Sequence, residues 1–414
     1  MPRWQLLYYE QPIAIDHGEG CYVWDAEGKR YLDFFGGILT TISGHGVPEV
    51  VNAIKAQADK LLHSSTLYLI PSAIALAEQI ADLSPIPDAK VFFATSGTEA
   101  VELALMLATG ARKSNQVIAL RNSYHGRSFA AVAVTGNRSW SATSLSPFQV
   151  AWVQNGYRYR SPFKDLPDAE FIAACADDLR SIIDTTTSGD IACLIAEPIQ
   201  GVGGFATPPD GFFGAMKEVC DEHGILFIAD EVQTGWGRTG ENFWGIQAHG
   251  VVPDAMVFAK GLGNGLSIAG VVARPELMDS LSANSISTFG GNPLVTAGAL
   301  ANLNYILEHD LQGNAREVGG QLMGRLQTTA ADVPGVGDLR GKGLMIGVEM
   351  VEPGSTTPAA AAAGRVMEAC KREGVLIGKG GLYGNVLRIS PPLVLTPAQA
   401  DEGYAVLDKA IREA

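Results

Sequence analysis

Between about residue 46 and residue 290, short apolar runs alternate with stretches of helical periodicity. Val91-Phe92-Phe93-Ala94, Val117-Ile118-Ala119-Leu120, Ala192-Cys193-Leu194-Ile195-Ala196, Ile225-Leu226-Phe227-Ile228-Ala229 and Met256-Val257-Phe258-Ala259 are the runs. Each is too short and too uniformly apolar for a one-sided strand, so each must be buried on both faces. Helices fall between them, for example Glu99 to Thr109 and Gly211 to His223. The alternation predicts an α/β domain with a mostly parallel sheet and helices on both faces.

The flanks are patterned differently. Residues 21–35 alternate around Asp25-Ala26-Glu27-Gly28-Lys29, as a hairpin leading into Tyr31-Leu32-Asp33-Phe34-Phe35 does. Residues 136–190 are irregular apart from a helix over roughly Asp168 to Ile183. After about residue 294 a long helix leads into a mixed region, with strands at Leu344–Met350 and Val386–Ile389 and a helix start in the Ala-rich Pro358–Ala363. The expected division is 1–45, a first part of a small α+β domain; 46–293, a large domain; and 294–414, the rest of the small domain, which both termini build.

Bulk properties remove several functions. A chain of 414 residues, 47% hydrophobic, is long enough for a large core. Its net charge of −14 would repel the phosphates of duplex nucleic acid. No apolar run reaches membrane-spanning length, and Met1 to Glu10 contains no apolar leader core. The five cysteines (Cys21, Cys175, Cys193, Cys220, Cys370) form no C-x-x-C pair, which argues against a zinc or disulfide framework and for a reducing cytoplasm.

Charged and polar residues at the ends of the apolar runs carry the chemistry, because ligands of open α/β sheets bind at the carboxyl ends of strands. Lys260 ends the run Ala255–Ala259 and precedes Gly261-Leu262-Gly263-Asn264-Gly265, glycines that would let a ligand come close. A lysine desolvated there becomes a usable amine; one that snorkels to solvent is the plainer alternative. Asp230 and Glu231 end another run, and adjacent strand residues face opposite ways. Two such carboxylates also suggest a divalent metal, but no histidine or third carboxylate stands at ligand spacing, so no metal is expected. Ser96-Gly97-Thr98-Glu99-Ala100 joins a strand to a helix, either as a cup for a phosphate or as a simple N-cap. Tyr124-His125 follows the next strand, where the tyrosine stacks on a flat ring or merely packs in a loop.

A phosphate cup, a stacking aromatic, a carboxylate for a pyridinium and a buried amine together describe a site for pyridoxal 5′-phosphate (PLP). On these residues the chain resembles the class III, fold-type I PLP-dependent aminotransferases over nearly its whole length. Further matching stretches are Tyr31-Leu32-Asp33-Phe34, Glu197-Pro198-Ile199-Gln200-Gly201, Asp230-Glu231-Val232-Gln233-Thr234-Gly235, Thr288-Phe289-Gly290-Gly291-Asn292-Pro293 and Leu387-Arg388-Ile389-Ser390-Pro391-Pro392. The resemblance implies a large, mostly parallel, seven-stranded sheet domain. It makes Lys260 the Schiff-base lysine and proton shuttle, with Asp230 on the ring nitrogen, Gln233 on the ring hydroxyl and Tyr124 on the ring face. Ser96, Gly97 and Thr98 fall in the phosphate segment, and His125 lies close by. Thr288 matches a position that reaches the neighbouring subunit's cofactor phosphate, which implies a homodimer; dimers that pair into tetramers stay open.

The same resemblance bears on substrate. Arg388 matches the arginine that grips a substrate α-carboxylate by a bidentate pair. Arg127 matches a position that either binds a distal carboxylate or pairs with Glu197. Relatives that act on an amine at the far end of a chain often carry a glutamate after the Gln-Gly pair, covering that arginine; here Gln200-Gly201 is followed by Val202. With Gly341-Lys342-Gly343-Leu344-Met345 and Gly378-Lys379-Gly380-Gly381, this resembles the branch of alanine–glyoxylate aminotransferase type two and 4-aminobutyrate aminotransferase. The expected activity is ping-pong transfer from an alanine-like amino acid to glyoxylate, pyruvate or 2-oxoglutarate. The alternatives are an ω-amino acid transaminase or a class III PLP phospho-lyase.

Overall fold

A computed structural model describes Pro2, Trp4, Gln5 and residues 7–414. The segment read above for a leader includes Met1, Arg3 and Leu6, which lie outside the described residues. Fifteen strands occur among them: β1 (Ile15–Glu19), β2 (Tyr22–Asp25), β3 (Arg30–Asp33), β4 (Lys90–Ala94), β5 (Gln116–Leu120), β6 (Gln149–Val153), β7 (Ile191–Ala196), β8 (Leu226–Asp230), β9 (Ala255–Phe258), β10 (Ala269–Ala273), β11 (Val336–Lys342), β12 (Met345–Met350), β13 (Val375–Leu376), β14 (Gly378–Gly380) and β15 (Val386–Ile389).

Seven of them form one sheet in the order β4-β10-β9-β8-β7-β5-β6. The five strands β6, β5, β7, β8 and β9 are mutually parallel, and β10 runs antiparallel to both β9 and β4. Strands β7, β8, β9 and β10 are buried at every residue, which is why the sequence shows runs there and not alternation. Two apolar layers cover the sheet. One contains the helix Gly97–Arg112, whose buried Val101, Leu105 and Ala108 lie against Ala119, Ile195 and Val257. The other contains the helices Asp168–Thr186 and Phe212–Glu222.

Two four-stranded sheets complete the fold. In one, β1, β2 and β3 form an antiparallel meander, and β13 from the C-terminal part adds parallel to β3. The other has the order β11-β12-β15-β14. The helices Pro293–Glu308 and Leu311–Asp332 carry the chain to it.

Two local expectations are corrected, and one strand, β10, was not anticipated. The stretch 136–190 holds an ordered edge strand, β6. The antiparallel β10 sits between β4 and β9, and Phe258 occupies the space beside its Gly270. The segment between β8 and β9 was expected to be helical. It is a run of turns with one short 3₁₀ stretch, Gly245–His249, packed around buried Trp236 and Trp244. Among the described residues no helix is long and apolar enough to cross a membrane. All five cysteines are buried and unpaired.

Candidate active site

Strands β8 and β9 are parallel neighbours, with Asp230 opposite Val257, so their carboxyl ends lie side by side. Asp230 ends β8, and Lys260 follows β9 after a single residue. Both line a cavity of about 230 Å³ together with Ser96, Gly97, Thr98, Tyr124, His125, Glu197 and Gln233. Eight of the residues expected from sequence thus converge with Lys260 on one space. Thr95, Val232 and the loop Leu266-Ser267-Ile268 also line it, and the sequence reading missed them. Leu266–Ile268 belong to the connection into β10, a strand that was itself not anticipated.

Lys260 is held with φ of 42°, in the left-handed region that an ordinary side chain enters at a cost. Burial pulls its amine down to about 8, with Asp230 opposing the fall and Arg388 adding to it. Two of the three glycines after it, Gly261 and Gly263, do not open room for a ligand as expected. Ile42 and Trp236 fill the space beside Gly261, and the Leu266 carbonyl fills that beside Gly263.

Asp230 and Glu231 divide as their opposite facing requires. Asp230 accepts from His125 Nδ1 at 2.7 Å and from the Val232 backbone N–H at 3.1 Å. His125 Nε2 is buried without a partner among the described residues. Glu231 points away from the cavity and accepts from Thr234 Oγ1 at 2.5 Å and from the backbone N–H groups of Gly245 and Ile246 at 2.9 and 2.7 Å. Among the described residues no group of three or more metal-ligating side chains forms.

Ser96 is the N-cap of the helix Gly97–Arg112, its hydroxyl accepting from the Glu99 N–H at 3.2 Å. The capping reading therefore holds, yet the helix start still faces the cavity. Its first N–H groups and its dipole favour an anion there. Thr98 Oγ1 fixes the opposite loop by accepting from the Arg127 N–H at 3.1 Å.

Glu197 accepts from the backbone N–H groups of Tyr124 at 2.9 Å and Gly201 at 2.8 Å. It does not pair with Arg127, so that alternative is corrected: two loop amides already occupy the carboxylate. The Arg127 guanidinium instead lies over the Trp4 ring, 5.7 Å from its centroid, on the exposed side. Burial pushes Glu197 up to about 7, His125 opposing and Asp230 adding to the rise.

Arg388 lies outside the cavity lining but is joined to it. It is only 3% exposed, donates from Nη2 to Gln233 Oε1 at 3.1 Å, and leaves Nε without a partner among the described residues. Burial lowers its pKa, with the Tyr8 hydroxyl and Glu197 opposing. Thr288 is exposed and lines no part of the cavity; its neighbour Ser287 donates to Glu99 at 2.7 Å.

A buried amine, a buried carboxylate, an anion-favouring helix start and an aromatic ring in one cavity suit a phosphorylated pyridine aldehyde. The family model described as Aminotransferase class-III matches residues 8–411. The chain belongs to the class-III aminotransferases. It is 42% identical to the mitochondrial alanine--glyoxylate aminotransferase 2 homolog 2 of Arabidopsis thaliana, over 95% of this chain and 81% of that one. It is 35% identical to the 4-aminobutyrate aminotransferase GabT of Escherichia coli, over 97% and 94% of the two chains. An amine transaminase of an uncultivated Pseudomonas species, solved in its PLP-bound form, superposes with a TM-score of 0.91 at 32% identity, covering 98% of this chain and 95% of that one. As a class-III aminotransferase this enzyme uses PLP and transfers an amino group, and the cavity at Lys260 has the parts such a cofactor needs.

Proposed function

We propose that this aminotransferase moves the amino group of an alanine-like α-amino acid to a small α-keto acid such as glyoxylate, pyruvate or 2-oxoglutarate. The carrying observation is Arg388, a buried guanidinium that donates to the neutral Gln233 amide and whose Nε has no partner among the described residues. A buried cation without a carboxylate is costly, and an incoming carboxylate relieves that cost. Val202, at the position where an acid would cover this arginine, is buried and cannot compete. Arg388 is then open to α-carboxylates in both half-reactions.

PLP, when bound, supplies an electron sink that makes the substrate Cα proton acidic. Lys260 would hold the cofactor, and its amine would be the base that moves that proton. Asp230, oriented by His125, keeps the ring nitrogen protonated. Gln233 would face the ring hydroxyl, Tyr124 the ring, and Ser96, Gly97 and Thr98 the phosphate. Arg127, exposed at the entrance, is left to distal carboxylates of longer acceptors. The enzyme would work as a homodimer in which Thr288 would hold the neighbouring subunit's cofactor phosphate. Leu67, Tyr68, Leu69, Ile286 and Phe289 support this, being 74, 71, 87, 58 and 59% exposed in one chain. The His63 and Phe289 rings, 5.2 Å apart, bring those two segments together. The buried, unpaired cysteines suit a reducing compartment, for which we take the cytoplasm.

The test is the half-reaction. Cofactor-loaded enzyme is mixed with L-alanine, 4-aminobutyrate or an amino alcohol phosphate, and cofactor absorbance and phosphate release are followed. Conversion by alanine without phosphate release is expected. A reaction with 4-aminobutyrate but not alanine makes the enzyme an ω-transaminase, and phosphate release makes it a phospho-lyase.

A further inference from the structure

Strands β11-β12-β15-β14 lie side by side. Their register sets Arg340 opposite Gly347, Gly347 opposite Arg388, and Arg388 opposite Gly378. Directly paired residues share a face of the sheet. A row of arginine, glycine, arginine, glycine therefore crosses all four strands.

The two glycines are gaps filled from elsewhere. A Cβ on Gly347 would come within 2.8 Å of the Gly204 carbonyl and 3.3 Å of Phe205 Cβ. A Cβ on Gly378 would come within 2.1 Å of the Phe35 ring. Phe205 and Phe35 are also the rings that flank Arg388, with its Cζ 4.6 and 5.3 Å from their centroids. The gaps in the row thus seat the two walls of the Arg388 guanidinium.

Arg340 fastens one wall. Its Nε and Nη2 both donate to the Gly204 carbonyl, at 3.0 and 2.8 Å. Gly204 and Phe205 adopt positive φ, 93° and 52°, so the turn needs such a hold. Arg340 is itself anchored. Its Nη1 bonds Asp338 at 2.5 Å and Glu349 at 2.9 Å, and its guanidinium lies over the Tyr157 ring at 4.4 Å. Glu349 is gripped in turn by Arg160 at 2.6 Å.

We propose that Arg340 is a positioning residue for substrate recognition. By locking the Gly204–Phe205 turn over Gly347 it sets the aromatic wall that aims Arg388 at the substrate carboxylate. Among the described residues no carboxylate hydrogen-bonds to Arg388, so the walls, the Gln233 amide and the nearby Tyr8 hydroxyl fix its direction. The proposal rests on Arg388 being the carboxylate receptor.

The experiment is titration calorimetry of propionate, a bare carboxylate, on the cofactor-loaded enzyme. The variants are Arg340→Met and Gly347→Ala, with Arg388→Met as reference. Propionate affinity should fall about tenfold or more in Arg340→Met, and KM for alanine should rise in step while kcat changes little. Gly347→Ala should do the same by pushing the turn away, and it carries the test if Arg340→Met does not fold. Wild-type propionate affinity in a folded variant overturns the proposal. So does a loss of affinity matched by an equal loss of bound cofactor, since that signals general damage. If Arg388→Met still binds propionate normally, the carboxylate reading has failed first. If Arg388→Met loses binding and Arg340→Met does not, only the positioning role has failed.

Discussion

Lys260 combines a left-handed backbone, a buried amine and a carboxylate neighbour, and each has a measurable effect. Because burial lowers its pKa to about 8, the cofactor-free enzyme should capture PLP faster as pH rises through about 8, in stopped-flow absorbance. Stability follows the opposite side of the same titration. A lysine whose folded pKa is depressed destabilises fully below that pKa, and the penalty fades as pH climbs toward 10.5. Cofactor-free Lys260→Met should therefore have a higher Tm than wild type at pH 7, with the gap closing between about pH 8 and 10.5. Lys260→Ala should abolish turnover while leaving the far-ultraviolet circular dichroism unchanged; near-normal turnover would remove the lysine from the chemistry. Asp230→Asn should keep the fold and lose activity by about 10²-fold or more. Lys260 and Asp230 were legible in the sequence because a charge at the end of an apolar run is anomalous. Arg388 was not, since an arginine inside a strand is ordinary until its burial is known, and only the family resemblance singled it out. Arg340 gave no signal at all: its role depends on register across three other strands.

At the scale of elements, the alternation of Asp230 and Glu231 divides one strand end between chemistry and support. Glu231 pins the turns that follow β8 through three donors. Glu231→Ala would strand those donors in the interior, and urea unfolding should show a loss of about 3 kcal/mol. An unchanged midpoint would mean that water satisfies them. Those turns were misread as a helix because the alternation of strands and helices was extended across them, although Trp236 and Trp244 bury themselves singly, without a 3.6-residue period. Strand β10 escaped notice because it runs against its neighbours and has a glycine, Gly270, where Phe258 packs. Four of the five apolar runs, those of β5, β7, β8 and β9, were readable because double-sided burial leaves no polar face to confuse them; the fifth, in the edge strand β4, is only half-buried. The loop Leu266–Ile268 was missed with β10, and with it part of the cavity wall.

Across the whole molecule, several strongly exposed apolar side chains, Leu67, Tyr68, Leu69, Ile286 and Phe289, lie where a second subunit is proposed to sit. Leu69→Lys should yield monomers by light scattering and should lower cofactor content, whereas Thr288→Ala should weaken cofactor retention and leave the dimer intact. A monomeric wild-type enzyme with full cofactor occupancy would refute both. The sequence could not show this surface, because exposed leucines are common and only their clustering is informative. One pairing has a consequence of another kind. Strand β13 closes the first sheet by lying along β3, with Val375 beside Leu32. The seven-stranded sheet is complete once residue 273 has been made, but the meander keeps an open edge until β13, at residues 375–376, has been made. During synthesis β1, β2 and β3 thus wait for residue 376, about a hundred residues after the large sheet has all its strands. Truncation from the C-terminal end would expose the opposite end of the polypeptide to aggregation.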